Sequence, residues 1–281
     1  MESESHQLTK LMESTSKPAN VITITSGKGG VGKTNIAANL AICLSTWGKK
    51  VLLFDADLSL GNLDVIMDIN CKYNISHALN GQKSIDEIIH YGPEGVEIIC
   101  GGSGLQELAN LNTFQKQRLI NELTKLQKDR DFLIIDTAAG IASSVIAFSL
   151  ASDQILIVTT PEAAAMTDAY AMIKVLAGNN YNGTINLLVN MADSKDEGKR
   201  IYRHIASVAS RFLDINVYNA GILLKDKHLI DAIRKRKPVV KEFPKAKITA
   251  SLASIAAKLS VSPPLQNDNK AFFKKVVDWF F

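Results

Sequence analysis

The chain is predicted to fold as an α/β protein: a doubly wound, mostly parallel sheet with helices on both faces. Three observations predict it. Short apolar runs recur along the 281 residues, and their hydrophobicity is continuous rather than alternating, as in strands covered on both sides. Stretches with helical periodicity separate them, which is the order of βα units. A glycine-rich loop joins the first apolar run to the first helical stretch, as phosphate-binding turns do.

Met1 to Ala19 is polar, rich in Ser and Glu, and closes near Pro18, so residues 1–19 are expected to be a flexible arm. His6 to Glu13 has room for one short helix within it. The runs VITIT from Val21, VLLFD from Val51, VEIIC from Val96, FLIID from Phe132, QILIVTT from Gln154, INLLVN from Ile185 and VYNAGIL from Val217 are expected strands. Asn35 to Ser45, Thr113 to Gln127, Ala163 to Ala177 and Lys199 to Phe212 are expected helices. Together they make one domain over residues 20–261. Residues 262–269, with two prolines among polar residues, read as a linker to a terminal segment, 270–281.

Composition limits the function classes. A formal net charge of +4 is small for this length and does not announce a nucleic-acid binder. Cys43, Cys71 and Cys100 are odd in number, far apart and without a C-x-x-C pair, so neither a disulfide framework nor a zinc site is expected. No cationic, apolar leader opens the chain, and no apolar run reaches the ~18 residues of a membrane span. A cytoplasmic location is the expectation.

Gly27 to Thr34 reads GKGGVGKT and fits G-x-x-x-x-G-K-[ST]. Such a loop turns backbone N–H groups toward phosphate, Lys33 neutralises β/γ oxygens, and the Thr34 hydroxyl suits Mg²⁺. Lys28 is a second lysine near the start of the loop, outside the ordinary motif. Phosphoryl transfer also needs carboxylates at the ends of neighbouring strands. Asp55 and Asp57 end the second run and Asp136 ends the fourth, where it has the pattern of a Walker B carboxylate.

The stretches SGKGGVGKTNIAANLA, LLFDADLSLGNLDVIM and LIIDTAAGI, in that order, resemble the MinD/ParA group of deviant Walker A ATPases, a P-loop NTPase fold of the SIMIBI type. The DADLSLGNLDVIM stretch and PEAAAMTDAYAMIKVL, from Pro161 to Leu176, are similar to the FlhG (FleN/YlxH) branch. The resemblance implies ATP and Mg²⁺ as cofactors and ATP hydrolysis as the activity. It implies nucleotide binding by Gly27, Lys28, Gly29, Gly30, Val31, Gly32, Lys33 and Thr34. Lys28 would reach across an ATP-bound homodimer to the partner's phosphates, stabilising charge as an arginine finger does. Asp57 would position the attacking water, Asp55 would support it, and metal contact would come from Thr34, Asp57 and, through water, Asp136. Asn190 falls where the group places an adenine-contacting asparagine, with a plain turn residue as the alternative. Leu224 takes the place of a base-contacting proline.

Lys270 to Phe281, KAFFKKVVDWFF, is amphipathic, with Phe272, Phe273, Val276, Val277, Trp279 and Phe280 on one side. Its aromatic density and lysines suit an interfacial membrane anchor, and the resemblance implies one; packing on its own domain is the alternative. Two such helices in a dimer would make attachment to the inner membrane depend on ATP. The FlhG branch also implies an FlhF-type GTPase and flagellar switch-ring proteins as partners. The arm segment His6 to Met12 keeps only the Gln and Leu of that branch's activating pattern, so a divergent activator and a plain tail both stand. Arg234 to Lys237 before Pro238 reads as the cationic last turn of a helix, so nucleic acid is not an expected partner. The expected function is an ATP-driven switch controlling flagellar number or placement. The alternatives are a ParA-like partitioning ATPase on DNA, a division-site MinD, and an iron–sulfur ATPase for which Cys100 alone is a poor ligand set.

Overall fold

The computed structural model describes residues 19–57, 62–102, 120–261 and 272–280. The arm segment His6 to Glu13, the start of the Thr113 helix and the linker fall outside the described residues. Eight strands form one sheet in the order β3-β4-β2-β5-β1-β6-β7-β8. They are β1 (Asn20–Ser26), β2 (Val51–Ala56), β3 (Ile89–Tyr91), β4 (Glu97–Ile99), β5 (Phe132–Ala139), β6 (Gln154–Thr159), β7 (Thr184–Ala192) and β8 (Val217–Leu224). All pair parallel except β3, which runs antiparallel to β4 at one edge. Every apolar run named above is a strand. Only β3 was not foreseen, because three residues with one isoleucine carry no periodicity to read.

The period-two alternation of each strand divides the core by face. Ile22, Ile24, Leu53, Leu156 and Leu188 point to one face, covered by α1 (Lys33–Thr46) and α9 (Lys247–Val261). Leu52, Phe54, Leu133 and Ile135 point to the other, under α4 (Ser143–Ala151). On that same side Ile155, Ile157 and Leu187 lie under α5 (Ala163–Gly178) and α6 (Lys195–Leu213). Connections after β1 lead outward to β2 on one side, and after β5 to β6 on the other. The chain therefore reverses its winding beside β1, and the crevice at such a reversal is where open α/β sheets bind ligands.

Between β2 and β4 lie two short helices, α2 (Leu63–Met67) and α3 (Ile75–Leu79). This excursion corrects the reading of the cysteines. It returns Cys71 to the end of β4, where it is joined in a disulfide to Cys100 across 29 positions, with Cα atoms 6.3 Å apart. Spacing in the sequence cannot report a pairing made by tertiary return. Cys43 is free and buried in α1.

After β8 come α7 (Lys227–Arg234) and α8 (Val239–Glu242), joined by the basic cluster. Lys235 and Lys237 both face Glu242, and Arg234 faces Asp231. The C-terminal helix α10 (Phe272–Phe280) packs on α4. Phe272, Phe273 and Val276 are buried in the core of that face and Val277 is buried beside them on the helix, while Trp279 is 43% exposed. Of the two surfaces proposed for this amphipathic helix, the one it occupies here is the protein's own. The side chain of Phe280 lies outside the described residues.

Candidate functional site

The glycine loop leaves β1 at Ser26 and enters α1 at Lys33, so the N-terminus of α1 faces whatever the loop encloses. Gly32 holds φ at 95°, and a Cβ there would lie 2.7 Å from the Asn190 amide nitrogen; both facts demand glycine. Gly27 is pressed against the backbone of Asp168 on α5, which a Cβ would strike.

The two lysines of the loop point to different places. Lys33 is buried, and its Nζ donates to Ser26 Oγ at 2.9 Å, while that hydroxyl donates to the Lys28 carbonyl at 2.7 Å. Burial lowers the Lys33 pKa, and the nearby charges of Asp136 and Asp57 oppose this. Lys28 instead turns outward to an ion pair with Glu162 at the entrance to α5, with side chains 40% and 66% exposed. It does not enter its own phosphate cradle.

Asp55 and Asp136 are direct partners across β2 and β5, and both are buried. Burial, and then the neighbouring Asp136, push the Asp55 carboxyl up to about 7. Burial likewise raises Asp136 to about 7, against the opposing pull of the Thr34 hydrogen bond and the Lys33 charge. Asp136 Oδ1 is buried with no hydrogen-bond partner. Asp57, just past the end of β2, donates its N–H to Asp55 Oδ1 at 3.0 Å.

These groups fit a hard divalent cation. A buried carboxylate oxygen without a partner, a threonine hydroxyl on the same carboxylate and two more acids nearby form an oxygen donor set of the kind Mg²⁺ takes. Such a cation lowers the cost of holding Asp55 and Asp136 ionised side by side.

A cavity of about 510 Å³ opens over the loop. Gly29, Gly30, Gly32, Lys33, Thr34, Asp57 and Asn190 line it, so these seven predicted residues come together. Lys28 stands outside at Glu162, Gly27 is covered by Asp168, and Asp55 and Asp136 are buried off the wall. Val31 has its side chain in the core and its carbonyl accepts from Asn190 Nδ2 at 2.8 Å. Asn190 Oδ1 accepts from Met191 N at 2.9 Å, a closure that the φ of 57° at Met191 permits. Asn190 thus braces the glycine loop as well as lining the cavity.

Most of the remaining lining is apolar, with Asn35, Asn39 and Asn62 among it, and sequence reasoning missed that apolar wall. Leu223, Leu229, Ile233 and Leu252 supply that wall from β8, α7 and α9. Leu223 stands there in place of Leu224, which packs into the core on the opposite face; a one-residue displacement along a strand reverses the side. Ser26 and Glu162, the partners of the two lysines, were also unassigned. Only the position of Ser26 at the strand end and of Glu162 beside Pro161 marked them. The whole arrangement suits a nucleoside polyphosphate, with backbone N–H groups and a buried cation for the phosphates and an apolar wall for a base.

Comparison with known proteins agrees. Residues 19–187 match a family described as an AAA domain. The chain is 36% identical over 246 residues to the antiactivator FleN of Pseudomonas aeruginosa, covering 88% of each chain. It is 36% identical over 266 residues to the flagellum site-determining protein YlxH of Helicobacter pylori, covering 92% of this chain and 90% of the other. Among solved structures, the MinC:MinD cell division complex of Aquifex aeolicus matches with a TM-score of 0.68 at 26% identity, over 89% of this chain and 99% of the other.

Proposed function

We propose, on the premise that the chain belongs to the MinD/ParA family of P-loop ATPases, that it is a switch that dimerises with ATP, docks on the membrane and sets flagellar number or placement. One observation carries the switch: Lys28 stands outside its own cradle, held at the surface by Glu162, while Lys33 alone occupies the interior. A cation at the rim is placed to serve a second copy. Exchange of Glu162 for the partner's phosphate exchanges one exposed ion pair, of about 0–1 kcal/mol, for a shielded one of greater strength.

Within each site Lys33 and the loop N–H groups bind the β- and γ-phosphates. Thr34 and Asp136, with Asp57, would hold Mg²⁺, which when bound draws charge from the phosphate oxygens. Asp57 orients water for attack in line with the leaving oxygen, and Asp55 holds the Asp57 N–H through the 3.0 Å hydrogen bond and so fixes that carboxylate's direction. Asn190 keeps the loop in its binding shape, and the apolar wall that includes Leu223 receives the base.

The docked α10 is the resting form of the membrane anchor. Phe272, Phe273, Val276 and Val277 each contribute about 1.5–3 kcal/mol by burial, so the helix leaves its groove only where another apolar phase receives the same face. A bilayer is such a phase. Similarity to FleN and YlxH supports the flagellar assignment. An FlhF-type GTPase and switch-ring proteins are the partners that the resemblance implies. The paired state of the basic cluster disfavours DNA tethering, since Arg234 faces Asp231 of its own helix and Lys235 and Lys237 face Glu242 of α8.

Light scattering with Mg²⁺ and ATP tests the reading. Asp57→Ala should accumulate as a dimer, and Lys28→Ala should stay monomeric at the same concentration while still binding nucleotide. Dimerisation of Lys28→Ala equal to wild type rejects the trans role. Flotation on anionic vesicles should require both ATP and residues 271–281.

A further inference from the structure

We propose that Cys71, His90 and Cys100 form a zinc-type metal site whenever the Cys71–Cys100 disulfide is reduced. The three side chains come from separate parts of the chain: the stretch after α2, strand β3 and the residue following β4. Their ligand atoms all lie within 4.8 Å of one another, with Cys71 and His90 half-buried and Cys100 buried. Two thiolates and one imidazole are the soft and borderline donors that Zn²⁺ selects over Mg²⁺. Tetrahedral zinc with Zn–S bonds of about 2.3 Å sets its two sulfurs roughly 3.8 Å apart. The 6.3 Å between the Cα atoms of Cys71 and Cys100 accommodates that span.

His90 supplies a second, independent observation. Its Nε2 lies 2.7 Å from the carbonyl oxygen of Tyr73, and since a carbonyl only accepts, this nitrogen carries the proton. Nδ1 then keeps its electron pair as the ligating atom. A backbone carbonyl fixing the tautomer and the ring direction is the usual outer shell of a metal-bound histidine. The ligands number three, and the fourth position falls to water or an added ligand.

The place of the site gives it a consequence for the protein. Cys100 accepts a hydrogen bond from Ile75 N at 3.3 Å, and the next residue, Gly101, lies so close to the backbone oxygens of Asp55 and Asp57 that a Cβ would be 3.0 Å from each. A metal at this point ties residues 71–76 to the strand end that adjoins the site carboxylates. Disulfide and metal are exclusive occupants, because the bonded sulfurs have no thiolate to offer.

The test uses the full chain reduced with a water-soluble phosphine. The phosphine takes oxygen from water to become its oxide, and each sulfur gains one hydrogen. Anaerobic titration with Co²⁺, in place of zinc, should release the two thiol protons and give a sulfur-to-cobalt charge-transfer band saturating near one equivalent per chain. Zn²⁺ should displace it. Mg²⁺-type oxygen sites give no such band, so the nucleotide site does not contribute. Cys71→Ser should lose the band, His90→Gln should weaken Co²⁺ binding at least tenfold, and Cys43→Ala should keep both. Reoxidised wild type needs no substitution and should show no band. A reduced wild type that shows no band in excess Co²⁺ overturns the proposal, as does a band that survives in the oxidised protein or in Cys71→Ser.

Discussion

Phe54 and Asp55 are neighbours on β2, point to opposite sides of the sheet, and meet opposite conditions. Phe54 packs against Phe148 at 5.9 Å between ring centroids and against Phe273 of the docked α10 at 6.1 Å. Asp55 is equally buried but faces Asp136, and burial makes its ionised form costly. The α10 side of the molecule is complete as it stands. The nucleotide side holds an unpartnered carboxylate oxygen, a cation whose charge is penalised by burial, and two acids in contact across strands. Unrelieved polar burial of this kind marks a place where folding stability is given up for a ligand.

The largest expected effect breaks that contrast on the polar side. Lys33→Met removes the buried ammonium and should lower ATP turnover by about a hundredfold or more, the scale of losing a charged transition-state contact. The same substitution should leave the thermal midpoint of the nucleotide-free protein unchanged or raised, because a buried charge held below its ordinary pKa is replaced by an apolar chain of similar length. Phosphate release and a thermal melt on one preparation check both halves. A variant that loses stability along with turnover would mean that Lys33 supports the fold and is not held ready for phosphate.

The next effect probes the apolar side. Phe148 lies between Phe54 and Phe272, so Phe148→Leu loosens the groove while α10 keeps its own face intact. The cost should be about 1 kcal/mol. If α10 docking bears that cost, the released population rises roughly fivefold, since 1.4 kcal/mol is a factor of ten. Vesicle flotation without nucleotide should rise accordingly. Unchanged flotation, with urea unfolding showing the expected loss, would separate the groove from membrane attachment.

The comparison also explains what the sequence could and could not disclose. Strands such as FLIID and QILIVTT were readable because burial on both faces leaves a continuous apolar run, and the loop from Gly27 to Thr34 was readable because phosphate chemistry fixes its spacing. The positions of Asp55 and Asp136 at strand ends were legible, but their cross-strand pairing was not: register between β2 and β5 depends on how the sheet assembles. The apolar wall of Leu223, Leu229, Ile233 and Leu252 comes from three separate elements with no common motif. For α10 the stripe of Phe272, Phe273, Val276 and Val277 was plain, yet the same stripe fits a bilayer or a groove, and only the fold supplies the groove. Cys71 and Cys100 were misread for the related reason that the chain between them, 29 positions apart, turns back on itself.

The smallest expected effect concerns the ion pair between Lys28 and Glu162, which lies between the two regions and belongs to neither. Both side chains are substantially exposed, so the pair is screened by water and salt, and Glu162→Gln should change unfolding free energy by no more than about 0.5 kcal/mol. Its effect on assembly should nevertheless be measurable. The pair holds Lys28 against its own protomer, and freeing it removes a competitor worth about 0.2–1 kcal/mol from the cation that the second copy needs. Each dimer engages two such lysines, so the protein concentration for half-dimerisation with Mg²⁺ and ATP should fall by roughly 2- to 30-fold. The difference from wild type should shrink as salt rises, because screening weakens the exposed pair before it weakens a shielded contact with phosphate. A rise in the concentration needed, in Glu162→Gln with an unaltered melt, would show instead that Glu162 aims Lys28 toward the partner, and the pair would then be a guide for assembly and not a brake on it.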